Sequence, residues 1–104
     1  MSNDITKHIE VDGKQFVFTM PTIRQRIEIG KLEAKMRGDV PSDQLDDVSR
    51  ALMYQLAYLK SCIEAPDGFS FEDQRDPIYM NTVYKECLDF EATFLERRDS
   101  EQKA

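Results

Sequence analysis

The stretch that decides the fold runs from Ile5 to Met20: Ile5-Thr6-Lys7-His8-Ile9-Glu10-Val11-Asp12-Gly13-Lys14-Gln15-Phe16-Val17-Phe18-Thr19-Met20. Its centre, Asp12-Gly13, is the residue pair that best accepts two successive positive φ angles, as a two-residue type I′ hairpin turn requires. A turn there sets the register: Val11 opposes Lys14, Ile9 opposes Phe16, Lys7 opposes Phe18 and Ile5 opposes Met20. Because side chains alternate along a strand, Ile5, Ile9, Val11, Phe16, Phe18 and Met20 then share one face. Two strands alone are marginal in water, so that apolar face has to rest on something. The rest of the chain must supply the support.

Pro21-Thr22 ends the hairpin and opens a helix over 22–37. Thr22 and Gln25 have capping-box spacing, and Gly38 is a stop signal. At about 100° per residue this helix carries two apolar stripes. Ile23, Ile27, Gly30 and Ala34 line one side, and Ile29, Leu32 and Met36 line the other. A helix with one solvated face needs only one stripe, so two imply a contact inside the domain and a second contact elsewhere.

After the Gly38-Asp39-Val40-Pro41 loop, Ser42 is placed to cap a second helix over 42–64, with Asp43, Asp46 and Asp47 favourably near its positive end. Leu45, Val48, Leu52, Leu56, Leu59 and Ile63 recur at spacings of three and four. Ala51, Tyr54, Tyr58 and Cys62 widen that stripe, marking the central core helix. Ala65-Pro66-Asp67-Gly68 breaks the pattern, Phe69 and Phe71 tuck inward, and Asp76-Pro77 starts a third helix over 76–97. Residues 98–104 read as a frayed polar tail. On the third helix Tyr79, Val83, Cys87, Phe90 and Phe94 form a stripe that Tyr84, Leu88 and Leu95 widen to about half the circumference. Either the neighbouring elements enclose this face or part of it is a binding surface. The fold class is thus α+β, mainly α: one domain over 1–104, with an N-terminal β-hairpin packed on three helices.

Composition narrows the functional classes. The 104 residues carry a net charge of −6, which repels nucleic-acid phosphates and anionic lipid headgroups. No apolar run approaches the roughly 20 residues of a membrane span, and the opening Met1-Ser2-Asn3-Asp4 lacks the features of a signal peptide. Cys62 and Cys87 fall among apolar residues and read as reduced core thiols, as expected of a cytoplasmic, non-secreted protein.

Catalytic patterns are missing. His8, the one histidine, sits mid-strand on the solvent side without a ligand-spaced partner. Asp12-Gly13-Lys14 matches the end of a phosphate-binding loop, yet Gln15 stands where Ser or Thr is needed. The twenty acids are dispersed, and none falls in a calcium-loop pattern. No enzyme, metal or cofactor is therefore expected.

Charge is segregated instead. Over 23–37, Arg24, Arg26, Lys31, Lys35 and Arg37 outnumber Glu28 and Glu33. Over 64–76, Glu64, Asp67, Glu72, Asp73 and Asp76 face only Arg75. Solvated faces with pairs such as Arg24–Glu28 account for this; so does head-to-tail self-association steered by opposite patches. The candidate contact residues are accordingly Ile29, Leu32, Met36, Tyr84, Leu88 and Leu95 for apolar docking. Arg24, Lys31, Lys35, Asp67, Glu72 and Asp73 are the candidates for electrostatic contact.

The order of elements resembles a known family. The turn Val11-Asp12-Gly13-Lys14-Gln15-Phe16 is followed by the Met20-Pro21-Thr22 link into a charged helix. Next come Ile27-Glu28-Ile29-Gly30-Lys31-Leu32 and a second helix ending near Ala65-Pro66-Asp67-Gly68-Phe69. Together these look like the tail assembly chaperones of long-tailed, siphovirus-type bacteriophages, over most of the chain. The resemblance implies a protein of the host cytoplasm that coats the tape-measure protein, recruits tail-tube subunits, forms a homo-oligomer in spiral or ring form, and is absent from the finished virion. A longer frameshifted product often accompanies such proteins. The alternatives are a structural or adaptor component of a larger particle and a small acidic regulatory binding module.

Overall fold

A computed structural model describes the backbone of residues 5–103 and the side chains of 5–96 other than Ser42. The fold is α+β and mainly α, with a three-stranded antiparallel sheet and three helices. Strands β1 (Thr6–Val11) and β2 (Lys14–Thr19) form the hairpin in the expected register. Asp12 and Gly13 take φ values of 54° and 76°, the two left-handed positions of the type I′ turn. The register also puts Lys7 on the core side, opposite Phe18, where its ammonium reaches Glu86 at 3.0 Å. β1 is an edge strand, and an inward-pointing charge of this kind discourages another chain from adding to the sheet.

Helix α1 (Ile23–Arg37) begins and ends where expected. Gln25 N–H donates to the Thr22 hydroxyl at 3.1 Å, and Thr22 N–H donates to the Gln25 side chain at 2.8 Å, completing the capping box. Gly38, at φ 63°, returns its N–H to the Lys35 carbonyl.

Helix α2 (Asp47–Cys62) is shorter than the expected 42–64. Ser42–Gln44 forms a separate 3-10 turn, and Asp46 is the cap, accepting from Ser49 N–H at 2.8 Å. Hydrogen bonds from Ser49 hold the Asp46 carboxyl below its ordinary pKa. At the other end Ile63–Glu64 leaves the helix to form β3, which pairs with β2 through Phe18↔Ile63 and Val17↔Glu64. Satisfying the free edge of β2 thus ends the helix before the Pro66 turn does.

Phe71 is buried and Phe69 half-buried. Their rings pack 4.9 Å apart, and both pack on Phe16, at 5.1 and 5.3 Å. Helix α3 spans Pro77–Lys103, with Asp76 accepting from Ile78 N–H, and does not stop near Arg97. The sequence from Arg97 to Lys103 holds no Gly or Pro to end it. Ala104 lies outside the described residues.

The sheet's inner face, α2 and α3 enclose one core, with α1 packed mainly along α2. Its centre is Phe16 and Phe18 of β2, Ile29 of α1, Tyr58 and Leu59 of α2, and Val83 and Cys87 of α3. Each large side chain buried there contributes roughly 1.5–3 kcal/mol of apolar transfer free energy.

Candidate interaction surface

The two stripes of α1 separate in the fold. Ile29 is 2% exposed, and Leu32 and Met36 pack half-buried against the core, so this stripe is the one that faces inward. The opposite stripe faces solvent: Ile23 is 80% exposed and Ile27 56%. Both stripes satisfy helical periodicity, which cannot say which one meets the core. Side-chain volume carries the missing signal. The inward stripe holds Ile, Leu and Met, whereas the outward one gives two of its four positions to Gly30 and Ala34. Close packing favours the bulkier row inside.

On α3 the candidates divide likewise. Tyr84 is half-buried, with its ring edge-on to Tyr58 at 5.3 Å, and it belongs to an aromatic cluster that includes Tyr54. Leu88 and Leu95, one heptad apart, remain 40% and 56% exposed.

A buried polar junction ties the helices together. Glu91 of α3 is almost fully enclosed; it accepts from the Tyr58 hydroxyl of α2 and, at 2.9 Å, from the Arg26 guanidinium of α1. On α1, Arg26 falls on the border between inward Ile29 and outward Gly30. On α3, Glu91 falls between inward Cys87 and outward Leu88. The contact links a border of α1 to a border of α3. Each of the two helices carries an exposed apolar band, Ile23 with Ile27 on α1 and Leu88 with Leu95 on α3.

Charge follows the α1 band. Arg24, Lys31 and Lys35 lie on the flank of Ile23 and Ile27 away from Arg26, with Glu28 paired to Lys31 at 3.5 Å rather than to Arg24. The acidic residues Asp67, Glu72 and Asp73 are exposed on the α2–α3 connection, Glu72 pairing with Lys60 at 2.7 Å. Among the described residues no ion pair joins the cations of α1 to this acidic segment. The two patches do not neutralise each other within one chain.

A cleft of about 310 Å³ opens between α2 and the start of α3, floored by Leu52, Met53, Leu56, Phe71 and Met80 and rimmed by Glu72, Arg75 and Asp76. His8 is exposed. Burial pushes the Cys62 thiol up to about 11 and the Cys87 thiol up to about 12, and both cysteines are free. Among the described residues no three His, Cys, Asp or Glu side chains gather as a metal site, and no helix is long and apolar enough to cross a membrane.

No family of known proteins, no curated protein and no solved structure matches the chain.

Proposed function

We propose that this protein is a non-enzymatic tail assembly chaperone of a long-tailed bacteriophage, holding the tape-measure protein and tail-tube subunits together during tail morphogenesis in the host cytoplasm. The single observation that carries the reading is the large aliphatic surface that α1 and α3 leave exposed, Ile23, Ile27, Leu88 and Leu95. A protein that coats a long helical client needs exposed apolar side chains of this kind. The family likeness, carried by the hairpin turn and the link into α1, supplies the identity of the client.

The test is co-expression with the tape-measure protein of the same phage, followed by affinity capture. Tape-measure protein is expected to co-elute with the native chain, and to be lost from a Leu88→Glu/Leu95→Glu variant whose melting temperature is unchanged. Undiminished capture by that variant would remove the α3 band from the argument. Absence of capture by the native chain would remove the chaperone reading itself.

A further inference from the structure

We infer that the outward face of α1 docks an acid-flanked amphipathic helix of another protein, which passes close over Gly30 and Ala34. The inference rests on the α1 part of the surface that carries the chaperone reading, and it names the chemistry of what that part takes.

Gly30 stands in the middle of α1, in ordinary helical backbone, and a Cβ placed on it would meet nothing within 4 Å beyond its own helix. Among the described residues nothing calls for glycine there, and glycine is among the least stable residues in a helix interior. The benefit therefore lies outside the chain, where a bare backbone lets a partner approach closely. Ala34, one turn further on, is exposed as well, and Ile23 and Ile27 protrude on the two turns before. Two exposed isoleucines followed by two small residues make a shelf on which a second helix sets its own bulky side chains.

Charge selects the kind of helix. At about 100° per residue, Arg24, Lys31 and Lys35 run along one side of this row, and Arg26 and Arg37 along the other. Glu28 and Glu33 lie beyond those cations, further round toward the inward face on each side. Among the described residues Arg26 pairs with Glu91 and Lys31 with Glu28, while Arg24, Lys35 and Arg37 have no ion pair. This basic face belongs to a chain of net charge −6. An acidic partner is thus attracted to α1 and repelled by the protein as a whole, which fixes where it lands. Two copies of α1 laid face to face would set cation against cation. Lipid headgroups and nucleic-acid phosphates would meet the cations but make no use of a glycine shelf.

Fluorescence anisotropy on the purified full chain tests this with a labelled synthetic peptide of about 18 residues, long enough to form a helix alongside α1. It carries leucine and alanine on one face and glutamate on both flanks. The peptide is expected to bind, and its counterpart with lysine for glutamate to bind about tenfold or more weakly. Gly30→Leu fills the shelf. It is expected to weaken binding about tenfold or more while the melting temperature holds or rises, because the position has room and leucine favours helix. Where it melts lower than the native chain, Ile23→Ser/Ile27→Ser at the two exposed positions takes its place. Arg24→Gln/Lys35→Gln is expected to weaken binding several-fold and to flatten its salt dependence. Absence of binding, equal binding of the lysine peptide, or a Gly30→Leu chain that binds like the native one overturns the inference. Gly30-dependent self-association in sedimentation velocity overturns it in favour of a second copy. Binding of phosphatidylglycerol vesicles or single-stranded DNA in place of the peptide overturns it in favour of a phosphate surface. Tape-measure capture through Leu88 and Leu95 is read separately, so failure of one reading is distinguishable from failure of the other.

Discussion

Ile27 and Ile29 are the same residue two positions apart on one helix, so truncating each in turn isolates the effect of orientation. Ile29→Ala removes three carbons from a side chain 2% exposed, a transfer loss of about 2.4 kcal/mol at roughly 0.8 kcal/mol per methylene. The void left in the core adds a cavity term, bringing the total to about 2–5 kcal/mol. Ile27 is 56% exposed, so the same truncation forfeits under about 1 kcal/mol, and the better helix propensity of alanine offsets a few tenths of that. Urea unfolding followed by circular dichroism reads both. Ile29→Ala should lower the midpoint by about 1–2 M at unchanged slope and the melting temperature on the order of 10–30 °C, with Ile27→Ala close to native. Equal shifts, or the larger shift for Ile27, would mean that α1 presents its other face to α2, and the apolar band of α1 would no longer exist.

Further outcomes are expected at the junction, at the two cysteines and at the α1 cap. Tyr58→Phe leaves one Glu91 oxygen without a donor in a nearly closed site and should destabilise by about 1–3 kcal/mol. Arg26→Gln, at a side chain that is 44% exposed, should change stability by no more than about 1 kcal/mol. A double-mutant cycle between Arg26 and Glu91 should return a coupling of about 0.5–1 kcal/mol, and zero coupling would contradict the junction. Cys62 and Cys87 should resist thiol reagents in the native state at pH 8 and react only on unfolding. Burial raises both thiols from an ordinary 9.0, so folding binds the proton more tightly; stability is intact below pH 9 and falls as pH rises from there toward about 11 and about 12. Brisk labelling of the folded chain would contradict their burial. Thr22→Ala should cost about 0.5–2 kcal/mol by opening the capping box, measured as a shift in the urea midpoint.

Local chemistry was legible wherever a few adjacent residues decide the outcome. Asp12-Gly13 fixes a two-residue turn and hence every pairing in the hairpin; Thr22, Gln25 and Gly38 fix both ends of α1. Reading failed where two local solutions compete and a distant contact chooses between them. Ser42 and Asp46 are both competent caps, and the second wins, leaving a 3-10 turn before the helix. Ile63 continues a helical stripe in sequence, yet β2 offers an edge to pair with, and the chain turns to strand one residue after Cys62. Which apolar rows stand exposed lay beyond sequence for the same reason. Of the six apolar candidates only Leu88 and Leu95 stand free, while Ile23 and Ile27 replace Ile29, Leu32 and Met36 as the exposed row of α1. Periodicity gives the angle between two stripes on a helix but not the direction of its neighbour.

The Arg26–Glu91–Tyr58 junction links all three helices through one enclosed carboxylate. Helix α1 packs mainly along α2, and α2 packs on the sheet and α3, so apolar contact alone leaves α1 free to roll or slide by small amounts against α3. Hydrophobic packing is nearly indifferent to such a shift, because one aliphatic surface replaces another. A buried carboxylate is not indifferent. Glu91 must keep donors on both oxygens, and Tyr58 and Arg26 supply them from two different helices. Displacing α1 along α3 would pull Arg26 away and leave an enclosed carboxylate oxygen without its cation, so the junction sets the register of α1 on α3. In a partly exposed ion pair the contribution to stability is small, and the contribution to register is what distinguishes it from a leucine in the same place. Glu91→Leu with Arg26→Leu and Tyr58→Phe, which leaves no orphaned partner, would then be expected to fold with native-like stability while broadening the distance distribution between spin labels on α1 and α3; an unchanged distribution would refute the register role.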